Sequence, residues 1–157
     1  MNRRSLLAGI ALSTLLSTAA YAQDLKLGII GPVTGPNAAF GKQLTDGGNQ
    51  AVADLNAKGG ILGRKIVVVI GDDASQPAQG VSVANKLTSE GVRHVIGPFN
   101  SGVMLPTSPI YAENGAIMIT PSATNPKITE RGLWNVFRTS GRDDQQGAVA
   151  AAFLAKN

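Results

Sequence analysis

Ile66-Val67-Val68-Val69-Ile70 is a run of five consecutive β-branched residues. With no polar residue at alternate positions, neither side of the run is made for water, which predicts a parallel strand covered on both faces. The same kind of signal repeats on either side of it. Upstream, 25–30 is a short apolar run ending at Gly31-Pro32; Phe40, Leu44, Ala51 and Leu55 then recur at helical spacing until Lys58-Gly59-Gly60 stops them. Downstream, Pro77 opens a helix whose Val81, Ala84 and Leu87 form a stripe closed by Gly91. Residues 92–96 read as a third strand, 102–113 as a helix ending at Asn114-Gly115, and 116–119 as a fourth strand. A fifth strand is expected at 133–137 and an alanine-rich helix at 144–156. Alternation of this kind with tight loops calls for an α/β fold: an open, mostly parallel sheet with helices on both faces.

In such sheets ligands sit beyond the carboxyl ends of the strands, where the chain order switches direction. Those ends are the loops 31–40, 71–76, 97–101 and 120–126, so function is expected there.

Composition narrows the chemistry. Of 157 residues, 43% are hydrophobic and 15% charged, the range of a globular domain. The net charge is +4, yet without Arg3 and Arg4 only 12 basic residues face 10 acidic ones. The basic residues are scattered and aromatics make up 4%, so no phosphate-tracking stripe or base-stacking platform is present and nucleic acid is not an expected partner. The absence of cysteine excludes disulfides, Cys-ligated metal and thiol nucleophiles, and the single His94 allows no histidine pair. No cofactor is expected.

The first 22 residues read as an export signal. Arg3-Arg4 precedes an apolar run at 6–16, and Ala20-Tyr21-Ala22 forms a small-x-small cleavage site before Gln23. The run is too short to span a bilayer. Arg3-Arg4 is also a partial match to a twin-arginine signal. With no cysteine at the cleavage site to carry a lipid, the mature chain is expected free in a periplasm. At the other end, Asn157 falls inside a helical pattern with no strand after it, as expected of a truncated chain.

Several candidate chemistries fail on spacing. Gly28, Gly31 and Gly35 lack the G-x-G-x-x-G pattern, and Pro32 and Pro36 remove backbone donors that a pyrophosphate would need. Asp72 and Asp73 are adjacent and point apart, so they read as turn and capping residues rather than an acid/base pair. His94 reads as a surface residue. Ser101 lacks the G-x-S-x-G context of a hydrolase elbow, since Phe99 stands two positions before it. It reads as a helix N-cap, or as a hydroxyl that joins the first-turn N–H groups in holding an anion. The polar loop 120–126, stiffened by Pro121 and Pro126, is a second such element. Together the two loops suit a small zwitterion.

Five segments carry a resemblance: 27–41, 51–61, Gly71-Asp72-Asp73, 95–98 and 121–126. In combination they closely resemble the branched-chain amino acid binding proteins of bacterial ABC transporters, of the type I periplasmic binding protein family. The resemblance implies a two-lobed receptor that closes on an amino acid and delivers it to permease subunits in the inner membrane. Residues 23–142 would be an incomplete first lobe, and 143–157 the first helix of a second. It further implies that Ser101 binds the ligand carboxylate, that Thr124 adds its hydroxyl and N–H, and that the Ser122 carbonyl accepts from the ammonium. Phe40 would line the side-chain pocket where relatives often carry tyrosine, and Ala123 and Asn100 complete the candidate set. Asn100 and Ser75 stand where some relatives have a cysteine pair. No enzymatic activity is implied. Within binding, the alternative ligand is an amide, urea or aromatic carboxylate; from another class, the alternative is an exported hydrolase using Ser101 or Asp72-Asp73.

Overall fold

The structure, a computed structural model, describes residues 23–156. The export signal read at 1–22 lies outside the described residues. In chain order the elements are β1 (Leu25–Gly31), α1 (Ala38–Ala57), β2 (Ile66–Asp72), α2 (Pro77–Ser89) and β3 (His94–Ile96). They continue with α3 (Ser101–Glu113), β4 (Ile117–Thr120), α4 (Lys127–Glu130), β5 (Val136–Arg138) and α5 (Asp143–Leu154). The strands form one sheet in the order β2-β1-β3-β4-β5, and every pairing is parallel.

Side chains alternate across a strand, so neighbours Ile29 and Ile30 serve different layers. Ile30 joins Leu87, Val95, Met104, Tyr111 and Met118 in the core beneath α2 and α3, all of them essentially sealed from solvent. Ile29 faces α1, where Gly48 leaves room for its side chain. The register carries the Ile29 side across the sheet to Ile96, Ile119 and Phe137. Beyond α1 that side is only partly covered among the described residues: Ile119 is 40% and Phe137 49% exposed.

Two expectations are corrected, and one element is added. The run at 66–70 is an edge strand rather than one covered on both sides, with Val67 42% and Ile70 48% exposed. It lies at the end of the sheet, where one neighbouring strand and the helix on each face cover it only in part. The fifth strand is Val136–Arg138, not 133–137, because Gly132 turns at φ +69° and Asn135 is buried as a plug. Asn135 Nδ2 donates to the Ala116 carbonyl at 2.9 Å. The short α4 was not anticipated from sequence; Asn125 Oδ1 starts it by accepting the Lys127 N–H at 2.9 Å, and Ile128 fills the core beneath it. In α3, Pro109 cannot donate to the Leu105 carbonyl, and Arg131 does so instead at 3.1 Å.

Candidate functional site

The chain leaves β1 toward β2 on one side and returns to β3 on the other. Loops from β1 and β3 therefore diverge at the carboxyl ends of these strands, which is where a parallel sheet opens a crevice. Phe40, near the start of α1, and Phe99, after β3, meet at this point with ring centroids 4.7 Å apart and planes 16° from parallel. One face of Phe40 is thus occupied, while 47% of the residue stays exposed. Beside the pair lies a cavity of about 450 Å³ lined by Leu44, Gly47, Gly48, Ile96, Pro121 and Ser122 among others.

Two loops are tied together on the β1–β2 side. Asp72 accepts the Thr34 hydroxyl at 2.6 Å, the Thr34 N–H at 3.1 Å and the Ala74 N–H at 2.9 Å. Burial pushes its carboxyl up, but these donors outweigh it and hold the group below the ordinary 3.8. Asp73 is fully buried and accepts the Ser75 N–H at 2.8 Å through Oδ1, while Oδ2 has no partner among the described residues. Burial raises its pKa, and the neighbouring Asp72 charge adds to the effect against the Ser75 N–H. The two aspartates act as turn residues on separate partners, as their adjacency predicts.

On the other side the loop after β3 and the loop after β4 are laced by three bonds. Thr120 Oγ1 donates to the Pro98 carbonyl at 2.8 Å, Ser122 Oγ to the Phe99 carbonyl at 3.0 Å, and the Asn125 N–H to Ser101 Oγ at 3.3 Å. The turn into the first of these loops requires glycine at 97: φ is +105°, and a Cβ there would lie 2.0 Å from the Ile30 carbonyl oxygen.

Ser101 is not the N-cap. Asn100 holds that position with extended backbone and no side-chain cap bond, and Ser101 is the first helical residue. The Asn100 carbonyl accepts the N–H of Val103 and Met104, which leaves the Ser101 and Gly102 N–H groups without a partner among the described residues. The Thr124 N–H and hydroxyl also have no partner there, although Thr124 stands next to Asn125 on Ser101. The Ser122 carbonyl is likewise unengaged. The Ser101 and Gly102 N–H groups are thus free donors at the positive end of α3, an arrangement suited to a carboxylate, and Thr124 is joined to that end through its neighbour Asn125.

The remaining candidates are placed differently. Ala123 is buried; its N–H donates to Thr120 Oγ1 at 3.0 Å, and its carbonyl is taken by Arg138 and Ser140. Asn100 Oδ1 is buried without a partner among the described residues, and Ser75 Oγ accepts from Asn37 Nδ2 at 2.9 Å. His94 is exposed at the opposite end of β3. Sequence reasoning missed Phe99, Thr120 and Arg138. Thr120 and Arg138 work through backbone carbonyls far away in the chain, a relationship that leaves no local pattern. Among the described residues there is no cluster of His, Cys, Asp or Glu that could hold a metal, and no helix is long and apolar enough to cross a membrane.

Comparison with known proteins places this geometry in context. The model of a family described as periplasmic binding protein matches residues 24–157. The chain is 53% identical over 153 residues to Leu/Ile/Val-binding protein homolog 1 of Brucella abortus, a match spanning 97% of this chain and 41% of that protein. It is 50% identical over 157 residues to the Leu/Ile/Val-binding protein BraC3 of Rhizobium johnstonii, spanning 100% and 42%. Among solved structures, a leucine binding protein of Thermotoga maritima superposes with a TM-score of 0.76 at 34% identity, covering 85% of this chain and 37% of that one. A branched-chain amino acid transporter substrate binding protein of Streptococcus pneumoniae, in complex with isoleucine, superposes at 0.72 and 34% identity, covering 76% and 34%. The chain thus spans about two fifths of the length of the curated relatives it matches.

Proposed function

The chain belongs to the periplasmic binding protein family, and on that premise we propose that it forms one wall of an extracytoplasmic receptor that captures a branched-chain or other aliphatic amino acid for an ABC transporter. The observation that carries this reading is the pair of unpartnered N–H groups of Ser101 and Gly102 at the start of α3, joined through the Asn125–Ser101 bond to a loop whose Thr124 N–H and hydroxyl are also without a partner among the described residues. In this reading Ser101 and Thr124 take the carboxylate through charge-assisted hydrogen bonds. The Ser122 carbonyl accepts from the ammonium. Phe40 and the cavity beside it receive the aliphatic side chain, and Asn100 and Ala123 contribute by placing their neighbours.

Residues 23–142 serve as lobe one and 143–157 open the second lobe, with permease subunits as the protein partners. The site binds without turnover. Location in the periplasm follows the family, and the leader is removed after Ala22, leaving a soluble chain without a lipid anchor. N-terminal sequencing of protein recovered from cells tests that step, with Gln23 as the expected first residue.

The binding reading is tested by joining this chain to the remaining three fifths of a curated relative and titrating leucine, isoleucine and valine by calorimetry. One-to-one saturable binding is expected. Silence with all three, alongside binding of an amide or aromatic carboxylate, would redirect the ligand assignment. Catalytic turnover of an ester by Ser101 would replace the receptor reading altogether.

A further inference from the structure

One side chain gathers most of the carbonyls of the loop 123–126. Arg138, at the end of β5, donates through Nη1 to the Ala123 carbonyl at 3.5 Å and to the Asn125 carbonyl at 3.0 Å. Through Nη2 it donates to the Pro126 carbonyl at 3.4 Å and to Thr129 Oγ1 at 2.5 Å. The segment that follows adds two more bonds. Ser140 Oγ donates to the Ala123 carbonyl at 3.3 Å, and the Asp143 N–H donates to the Thr124 carbonyl at 3.1 Å.

The geometry of the peptide group turns these bonds into a statement about donors. In a trans peptide the C=O and N–H point in opposite directions, and among the described residues the only cis bond is Gly97–Pro98. Anchoring the Ala123 carbonyl on Arg138 and Ser140 therefore directs the Thr124 N–H to the other side. Anchoring the Thr124 carbonyl on Asp143 does the same for the Asn125 N–H, which is found on Ser101 Oγ. A guanidinium is suited to this work, because its planar fork of donors reaches several carbonyls at once, where a lysine ammonium is a compact point charge.

We propose that Arg138 is a positioning residue: it holds the carbonyl side of the loop 123–126 so that the Thr124 N–H is presented to the ligand carboxylate beside α3. The proposal deepens the receptor reading and rests on it for the ligand. It also ties the ligand loop to the start of α5, since Asp143 holds the same loop through the Thr124 carbonyl. Movement of that helix would then be felt at Thr124 without any contact between α5 and the ligand.

The test uses the chain joined to the remaining three fifths of a curated relative, in ¹⁵N NMR, comparing wild type with Arg138→Met and Arg138→Lys. In wild type the Thr124 and Asn125 amides should have order parameters near the rigid value of about 0.85. In Arg138→Met they should fall below about 0.6 while the Met118 amide in β4 is unchanged, with Arg138→Lys in between. Rigid Thr124 and Asn125 amides in folded Arg138→Met would overturn the proposal. Should Arg138→Met fail to fold, Arg138→Lys and Ser140→Ala must each shift the Thr124 amide resonance, and an unmoved resonance would equally overturn it. An isoleucine titration separates the two readings. Loss of the Thr124 response in Arg138→Met with the Ser101 and Gly102 responses kept supports the positioning role, and an unaltered Thr124 response opposes it. A wild-type titration that moves none of the three overturns the ligand reading alone, because the order parameters still decide Arg138.

Discussion

The Ser101 hydroxyl receives the Asn125 N–H at 3.3 Å, joining the start of α3 to the loop after β4 across 24 positions of sequence. The oxygen keeps its own proton to donate, so one side chain both ties the two loops and retains a donor. In the chain joined to the remainder of a curated relative, Ser101→Ala should weaken amino acid binding by about 1.5–3 kcal/mol, the worth of a hydrogen bond to a charged group. Ser101→Thr, which keeps a hydroxyl, should recover most of the loss. Calorimetry with isoleucine checks both variants, and unchanged affinity in Ser101→Ala would remove Ser101 from the site.

Asp73 and Asp72 should impose opposite pH dependences. Asp73 has a raised folded pKa, so its stabilising contribution is fully present below the ordinary 3.8 and is lost as pH rises through the raised value. Asp72 is lowered, so its contribution is present above 3.8 and is lost as pH falls through the lowered value. Asp73→Asn keeps an acceptor for the Ser75 N–H and cannot ionise. Its urea midpoint should exceed that of wild type at pH 7, and the difference should disappear below pH 3.8. A midpoint below wild type at pH 7 would show that the ionised carboxylate is needed.

Two glycines of α1 should respond in opposite directions to the same methyl group. A Cβ at Gly41 would lie 2.1 Å from the Pro32 carbonyl oxygen, a backbone atom, whereas at Gly47 it would meet nothing within 4 Å. Gly41→Ala should therefore cost about 1–3 kcal/mol through displaced backbone. Gly47→Ala should gain about 0.5–1 kcal/mol from helix propensity. Urea unfolding of the two variants beside wild type measures both, and equal signs would refute the placement of α1 against the loop after β1.

The chain from Gln23 to Asn157 should not bind leucine, isoleucine or valine with receptor-like affinity. Small-molecule sites bury most of the ligand surface, and on the proposed reading the donors at Ser101 and Thr124 line a single wall, so their bonds compete with bulk water. Val149 is 70% and Leu154 74% exposed on α5, and with the half-exposed Ile119 and Phe137 they should promote self-association at high concentration. Titration calorimetry and light scattering test the two halves of this expectation. Tight one-to-one binding by the chain alone would make this wall sufficient.

The parallel order of the elements was legible because β-branched runs and helical stripes alternate, with Pro77 and the glycines at 59–60, 91 and 115 marking the ends. Burial was less legible. The composition of 66–70 says that the strand is apolar on both sides, but its place at the sheet edge depends on crossover connections that composition does not encode. The same distinction holds at the site. Ser101 and the loop 120–126 could be read from their place after strands, whereas Arg138 shows itself only once the carbonyls of 123, 125 and 126 are seen to turn toward it. The cap assigned to Ser101 was off by one residue, because Asn100, with extended backbone, already ends the loop.

The strand order also fixes a sequence of events in time. β1, the first strand made, lies inside the sheet, and each later strand lies against one already synthesised: β2 and β3 against β1, β4 against β3, β5 against β4. No strand has to wait for a later one to find its partner. Chain growth is slow, at about 5–20 residues per second, against the microseconds in which hairpins and helices form. The sheet can therefore be laid down outward in the order of translation, each new strand pairing with one already in place.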